Sequence, residues 1–204
     1  MPAADPVAAG RDDVPVLAAV AARAFAQDAM FTFVFPDPSG RARRLDRFFR
    51  GAIRCGLLAG SVLTTPDRAA VAIWLPPGRA GMALGGVLRS GMAAFPVTLG
   101  PRNFRRFTAY TSWLDGQRRA LEPAPHWFLL ALAVDPDHQR RGTGTALMAP
   151  RLADADRSGL PSYLETTDEE NVAFYGRAGF DVVREAVPDT AGPRTWLMLR
   201  PPQG

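Results

Sequence analysis

The most regular apolar pattern lies in the C-terminal third of the chain. Residues 126–134, HWFLLALAV, form a nearly continuous apolar run of strand length, as expected of a strand buried on both faces. DPDH at 135–138 breaks the run. The spacing that follows predicts a helix from about Gly142 to Arg157, disturbed at Pro150, which has no N–H to give to the helix. SYLET at 162–166 reads as a second strand. NVAFYGRAG at 171–179 reads as a short helix closed by Gly179. FDVVREAV and RTWLMLR read as two further strands around the loop PDTAGP. The order strand, helix, strand, helix, strand, strand predicts a mixed α/β domain with a parallel pair beside the glycine turn.

The pattern is weaker upstream. PVAAG at 6–10 fits a short strand. Asp12 and Asp13 mark a helix start, with Val14, Leu17, Val20 and Phe25 near helical spacing. FPDPSG at 35–40 reads as a loop, and a second helix follows through Phe48, Ile53 and Leu57. SVLTT (61–65) and AAVAIWL (69–75) read as paired strands around the turn at Pro66 and Asp67. Residues 82–121, glycine-rich at first and ending in RNFRRFTAYTSWLDGQRRAL, read as two helices. The chain has 204 residues, with no repeat or low-complexity linker, and is read as one domain over 1–204.

Composition narrows the chemistry. All 24 basic side chains are arginine, so lysine Schiff-base and phosphate-loop lysine chemistry are excluded. The net charge of +4 comes from arginines scattered along the chain, without a basic block interleaved with aromatics. Nucleic acid is therefore a weaker partner than a small anion. Cys55 is the single cysteine, which excludes an intramolecular disulfide and a cysteine metal cluster. No His, Asp or Glu spacing suggests a metal site. No basic segment with a long apolar run opens the chain, and no stretch reaches the ~18 apolar residues of a membrane span. The expectation is a cytoplasmic protein with no membrane partner; a monomer and a homodimer fit the sequence equally.

HQRRGTGTAL at 138–147 carries the sharpest signal. Gly142 and Gly144 follow arginines and precede an apolar run, an arrangement that brings backbone N–H groups and a helix N-terminus close to an anion. A nucleoside triphosphate loop would need G-x-x-x-x-G-K-[ST], and the lysine is missing. A dinucleotide fingerprint would need a glycine or small residue where Leu147 stands. A plain glycine turn capping a helix remains open. Gln139-x-x-Gly142-x-Gly144, within AVDPDHQRRGTGTALM, resembles the Q/R-x-x-G-x-G/A loop of the GNAT acetyltransferase superfamily, and YLETTDEENVAFYGRAGF resembles its next landmark, N-x-x-x-x-Y-x-x-x-G-F. RDDVPVLAAVAARAF, AAVAIW, HWFLLALAVDPDHQ and GPRTWLMLR are similar to the puromycin N-acetyltransferase group and its actinobacterial relatives.

The resemblance implies the GNAT fold: a twisted mixed sheet of about six to seven strands flanked by helices and splayed at an acetyl-coenzyme A cleft. It implies that the backbone of Leu132, Ala133 and Val134 pairs with the pantetheine arm. Gln139, Arg140, Arg141, Gly142, Thr143 and Gly144 would surround the pyrophosphate. Asn171 matches a coenzyme contact, or else caps a helix. Tyr175 matches the tyrosine that protonates the departing thiolate, or else is core. Glu165 would take the proton of the acceptor amine, or else sits in a strand-end salt bridge; His126 and His138 are the other bases at hand. Met30, Phe31, Phe33 and Trp113 would line the acceptor pocket, or else cover the core, and Val34, Phe35 and Tyr110 share that choice. The implied activity is acetyl transfer from acetyl-coenzyme A to a primary amine of a small, partly apolar, puromycin-like molecule in a ternary complex, without metal. An acetyltransferase for protein or peptide amines and a non-catalytic coenzyme A sensor are the alternatives.

Overall fold

The computed structural model describes residues 5–59, 61–78, 94–121, 125–189 and 191–204. After β1 (Val7–Ala8), a single 3-10 turn leads into α1 (Val14–Ala24), with Pro15 in its first turn. Next come α2 (Ala29–Val34), α3 (Pro38–Ala59), β2 (Val62–Thr64) and β3 (Ala70–Leu75). Then follow α4 (Phe95–Thr98), α5 (Pro101–Leu121) and β4 (Trp127–Val134). The chain ends with α6 (Thr143–Arg157), β5 (Ser162–Thr166), α7 (Glu169–Gly176), β6 (Asp181–Ala186) and β7 (Thr195–Arg200).

Besides α7, which spans Glu169–Gly176 and not 171–179, and α6, which runs on through Pro150, two elements differ from the sequence reading. FPDPSG is not all loop, because α3 begins at Pro38. Asp37 accepts hydrogen bonds from the Ser39 N–H at 3.0 Å and the Ser39 hydroxyl at 2.7 Å, and proline suits a first helical position. The residues taken for turn signals are a cap and a helix start. The second difference is α2, where the Asp28 carboxylate accepts from the Phe31 N–H at 3.1 Å. Of the two helices expected over 82–121, the second is α5; the glycine-rich start of that span falls on 79–93, which lies outside the described residues, and α4 is a single turn just after it.

The strands form one seven-stranded sheet in the order β1-β2-β3-β4-β5-β7-β6. Among the described residues only β4 and β5 pair in parallel. Alternation along β3 divides the core. Val71 and Ile73 face α1–α4 in an aromatic-rich cluster with Phe31, Phe35, Phe48, Phe49 and Phe95. Ala70, Ala72 and Trp74 face α6 and α7, packing with Leu147, Met148, Leu152 and Tyr175.

The feature that positions the site is a break in β4. Ile73 pairs with Ala131 but Trp74 pairs with Leu129, so Leu130 is an extra residue on β4. A bulge bends a strand and increases its twist. At this same point the parallel ladder stops. Trp127, Phe128 and Leu129 pair with Ser162, Tyr163 and Leu164, and nothing beyond them pairs. β4 still runs on to Val134 and β5 to Thr166, so the two strands diverge. The edge of β4 over 130–134 that faces β5 is left with backbone groups outside the ladder.

Candidate active site

The β4 wall of the gap leads straight into the glycine turn. Asp135 ends the strand and is held by Arg23 of α1, whose guanidinium Nε lies 3.2 Å from its carboxylate. That guanidinium holds the Asp135 carboxyl below the usual carboxylate range. The other carboxylate oxygen accepts from the Asp137 N–H at 3.1 Å, which starts the short 3-10 turn Pro136–His138. Gln139 then folds back and donates from Nε2 to the Val134 carbonyl at 3.1 Å. Its side chain shapes the turn, and its backbone opens it.

Arg140 (φ 61°) and Gly142 (φ 79°) both occupy the left-handed region. For the arginine this conformation costs on the order of 1 kcal/mol. Gly142 is the residue before the first turn of α6, with no side-chain cap, and the first helical bond runs from the Ala146 N–H to the Gly142 carbonyl at 3.0 Å. The N–H groups of Thr143, Gly144 and Thr145 precede that bond and have no carbonyl four residues back within the helix. Arg140 and Arg141 are exposed and enter no ion pair among the described residues.

The two glycines serve different ends. A Cβ at Gly142 would meet nothing within 4 Å, so its need is conformational. A Cβ at Gly144 would lie 3.1 Å from Phe174 Cζ and 3.5 Å from Leu132 Cδ2, so its need is closeness between α6, α7 and β4. A left-handed turn, free helix N–H groups and flanking guanidiniums together suit an anion of the pyrophosphate type, and the adjoining open strand edge suits an amide-bearing chain.

The far wall is made by β5 and α7. Asp168 caps α7, accepting from the Glu170 N–H at 2.9 Å. Asn171 is therefore in the third helical position, and the capping role open to it in the sequence falls to Asp168. Tyr175, 9% exposed, packs edge-on against Phe174 at 5.0 Å and Phe180 at 6.0 Å. Burial first, and then the charge of Asp28, push its phenol well above the usual range. It stays protonated at neutral pH.

Glu165 stands one residue before the end of β5, on the same face as Tyr163. It accepts from the Tyr163 hydroxyl at 2.9 Å and from Arg118 of α5 at 3.5 Å. Arg118 is buried, pairs also with Asp115, and lies 4.9 Å above the Phe128 ring. Burial pushes the Glu165 carboxyl up; Arg118 and the Tyr163 hydroxyl pull against that, and Asp115 adds to it. The strand-end salt bridge and an elevated carboxyl thus coexist. His126 is buried at the opposite end of β4, edge-on to Tyr163 at 5.5 Å, and His138 closes the 3-10 turn on the other wall.

The acceptor-pocket candidates divide. Phe31 is 5% exposed and embedded among Phe25, Phe35, Phe48 and Phe49, so its side chain is taken up by the core. Met30 and Phe33 are half-buried at the edge of that cluster. Phe33 lies 6.2 Å from Tyr110, and Tyr110 lies 5.6 Å from the half-buried Trp113. Sequence reasoning passed over Asp28, Arg118 and Tyr163. An aspartate directly before the apolar run AMFTFV is a helix-start signal that could have found Asp28; nothing local marks Arg118. Among the described residues, no group of three or more His, Cys, Asp or Glu could hold a metal ion.

Comparison with known proteins bears on this geometry. Residues 104–180 match the sequence profile described as the Acetyltransferase (GNAT) family. An uncharacterized N-acetyltransferase of Schizosaccharomyces pombe is 27% identical over 140 residues, covering 67% of this chain and 57% of that protein. The match thus spans a little over half of that relative's length. Among solved structures, a histone acetyltransferase HPA2 and related acetyltransferase of Corynebacterium glutamicum aligns over 99% of this chain and 98% of its own, with TM-score 0.70 and 24% identity. Arylalkylamine N-acetyltransferase 2 of Aedes aegypti aligns over 97% and 98%, with TM-score 0.59 and 12% identity. The chain has the GNAT fold, and residues 104–180 carry that family's sequence pattern.

Proposed function

We propose that the chain transfers an acetyl group from acetyl-coenzyme A to a primary amine of a small, partly apolar molecule, in a ternary complex. The observation that carries this reading is the gap between β4 and β5, which opens directly onto the glycine turn and has Tyr175 and Glu165 on its far wall. GNAT acetyltransferases use acetyl-coenzyme A, whose thioester supplies an activated acetyl group when it is bound. Leu132, Ala133 and Val134 would offer unpaired backbone groups to the pantetheine arm. The N–H groups of 142–144, with Arg140 and Arg141, would receive the pyrophosphate, Gln139 would hold the turn in shape, and Asn171 would reach the coenzyme from α7.

Tyr175 would donate the phenolic proton to a sulfur that gains negative charge. Its buried setting keeps that proton in place until it is needed. Glu165 would accept the proton that an ammonium must lose before it can attack. A carboxyl raised by burial is the better base for that step. Met30, Phe33 and Trp113 would form the apolar side of the acceptor pocket, which accords with a puromycin-like or arylalkylamine acceptor. A cytoplasmic setting accords with this reading, and no described helix is long and apolar enough to cross a membrane. A second reading, acetylation of protein or peptide amines, is favoured by the description of the Corynebacterium glutamicum neighbour as a histone acetyltransferase.

An acceptor screen that follows thiol release from acetyl-coenzyme A tests both readings, with calorimetry for coenzyme binding. Small amines turning over ahead of peptides support the first reading, and the reverse supports the second. No binding of acetyl-coenzyme A would overturn both.

A further inference from the structure

Two carboxylates lie beside the β5 wall, Glu165 on β5 itself and Asp28 bonded to Thr167 just past it, and their partners differ. Glu165 already has a cation, Arg118, at 3.5 Å. Asp28 has none. It enters no ion pair among the described residues, and its carboxylate oxygens are met by the Phe31 N–H at 3.1 Å and the Thr167 hydroxyl at 2.9 Å, both neutral. The charged and titratable groups around it are Asp168, of the same sign, and the phenols of Tyr175 and Tyr110.

Structure alone does not require a charge here. Serine or asparagine would cap α2 as well as aspartate does, and an amide would still bond Thr167. Burial pushes the Asp28 carboxyl up, the cost of a charge held away from water without a counterion. Yet Asp28 is half-buried at the edge of α2 and not sealed in the core. Asp28 opens α2 and Thr167 lies just past β5, so their bond ties α2 to the β5 wall of the site. Phe33 lies farther along α2, and with Tyr110 and Trp113 it makes a row of aromatic rings. The Tyr110 hydroxyl is bonded to Thr195 and its ring is buried, so the half-buried Phe33 and Trp113 are the members of the row that a ligand can touch.

We infer that the Asp28 carboxylate seats the ammonium group of the acceptor, and that the acceptor is a primary ammonium on an aromatic or apolar body lying against Phe33 and Trp113. This rests on the acetyltransferase reading above. It divides the labour between the two carboxylates. Asp28 supplies the missing counter-charge and orients the amine beside Tyr175, and Glu165, already matched by Arg118, is left to take the proton.

The test uses the full chain with 2-phenylethylamine and its neutral isostere 2-phenylethanol. In the parent, 2-phenylethylamine should be acetylated, and the alcohol should bind at least about tenfold more weakly. Asp28→Asn should raise KM for the amine at least about tenfold, the loss expected when a buried charge partner is removed. Its affinity for acetyl-coenzyme A should match the parent's. Thr167→Val removes the bond to Asp28 but keeps the charge, so its KM should change much less. If Asp28→Asn does not fold, the parent decides alone: its affinity for the ammonium should fall as pH drops and Asp28 becomes protonated, while its affinity for the alcohol stays level. Four outcomes overturn the inference: an unchanged KM in Asp28→Asn, an equal loss in Thr167→Val, equal pH dependence for both probes, or acetyl-coenzyme A binding without any binding of 2-phenylethylamine. Failure of acetyl-coenzyme A itself to bind would instead strike the acetyltransferase reading.

Discussion

The two walls of the gap are built from different materials. The β4 wall, from Leu130 through the turn to the start of α6, offers backbone: a bulged edge, a left-handed glycine and free helix N–H groups. The opposite wall offers side chains drawn from α2, α5, β5 and α7, namely Asp28, Arg118, Glu165 and Tyr175. Backbone geometry of this kind depends on a few local residues, so it leaves a motif. A wall of side chains depends on where distant elements meet, so it leaves none. The same division suits one constant ligand on the first wall and an adaptable acceptor on the second.

The strongest way to break this contrast is at Gly144. Gly144→Leu must push Phe174 aside, since even a Cβ would sit 3.1 Å from it. Loss of acetyl-coenzyme A affinity by more than about a hundredfold is expected, read by calorimetry, because the helix N–H groups can no longer reach a phosphate closely. Gly142→Val should act similarly through its positive φ, with a stability cost of only about 1–2 kcal/mol. Unchanged affinity in both would mean that the turn is no more than a helix cap.

On the other wall, Tyr175→Phe keeps the ring among Phe174 and Phe180 and removes only the proton donor. Single-turnover rates should fall on the order of 10²-fold with coenzyme affinity retained. An unaffected rate would make Tyr175 a packing residue.

A clamp ties α6 to the last strand. Asp156 of α6 binds Arg200 of β7 through two bonds, at 2.6 and 2.8 Å, and accepts from the Gln203 N–H. Hydrogen bonding to Arg200 first, then the Gln203 N–H and the guanidinium charge, draw the Asp156 carboxyl down to about 2. A carboxyl depressed in the folded state binds fewer protons there than in the unfolded chain. Its stabilisation is therefore complete above the unfolded value of about 3.9 and is lost as pH falls from there toward 2. Asp156→Asn should cost about 2 kcal/mol at neutral pH, since it leaves buried Arg200 without its counterion. Thermal melts of parent and variant should converge between pH 4 and 2; a gap that persists at low pH would mean that packing, not charge, is lost.

The smallest effect sharpens the acceptor wall. Arg118→Met keeps an apolar side chain of similar reach but removes the guanidinium that lies over Phe128 and pulls the Glu165 carboxyl down. The acidic limb of the pH–rate profile should move to higher pH, with turnover above that limb little altered. A limb that does not move would remove Glu165 from the proton path.

The sequence by itself determined the C-terminal third, and for a physical reason. An apolar run of strand length, a glycine turn and a helical period are local signals, so β4, the turn, α6, β5 and α7 are legible to within two or three residues at their ends. Gln139, Gly142 and Tyr175 could be singled out because the stretch resembles GNAT motifs, whose members stand at fixed offsets along one segment. The N-terminal half was less legible, since Asp37, Pro38 and Asp28 are turn formers and helix caps alike, and only the chain around them selects which.

Tertiary structure alone decided the rest. It put Phe31 into the core while leaving Phe33 at its edge, because α2 buries one face against α3. It matched Glu165 with Arg118 across 47 residues and left Asp28 without a cation, bonded to Thr167 across 139. It set the extra residue of β4 where β5 turns away, and so opened the gap. Pairings over such distances have no period or spacing to read, because they form only when separate elements pack on opposite sides of one sheet.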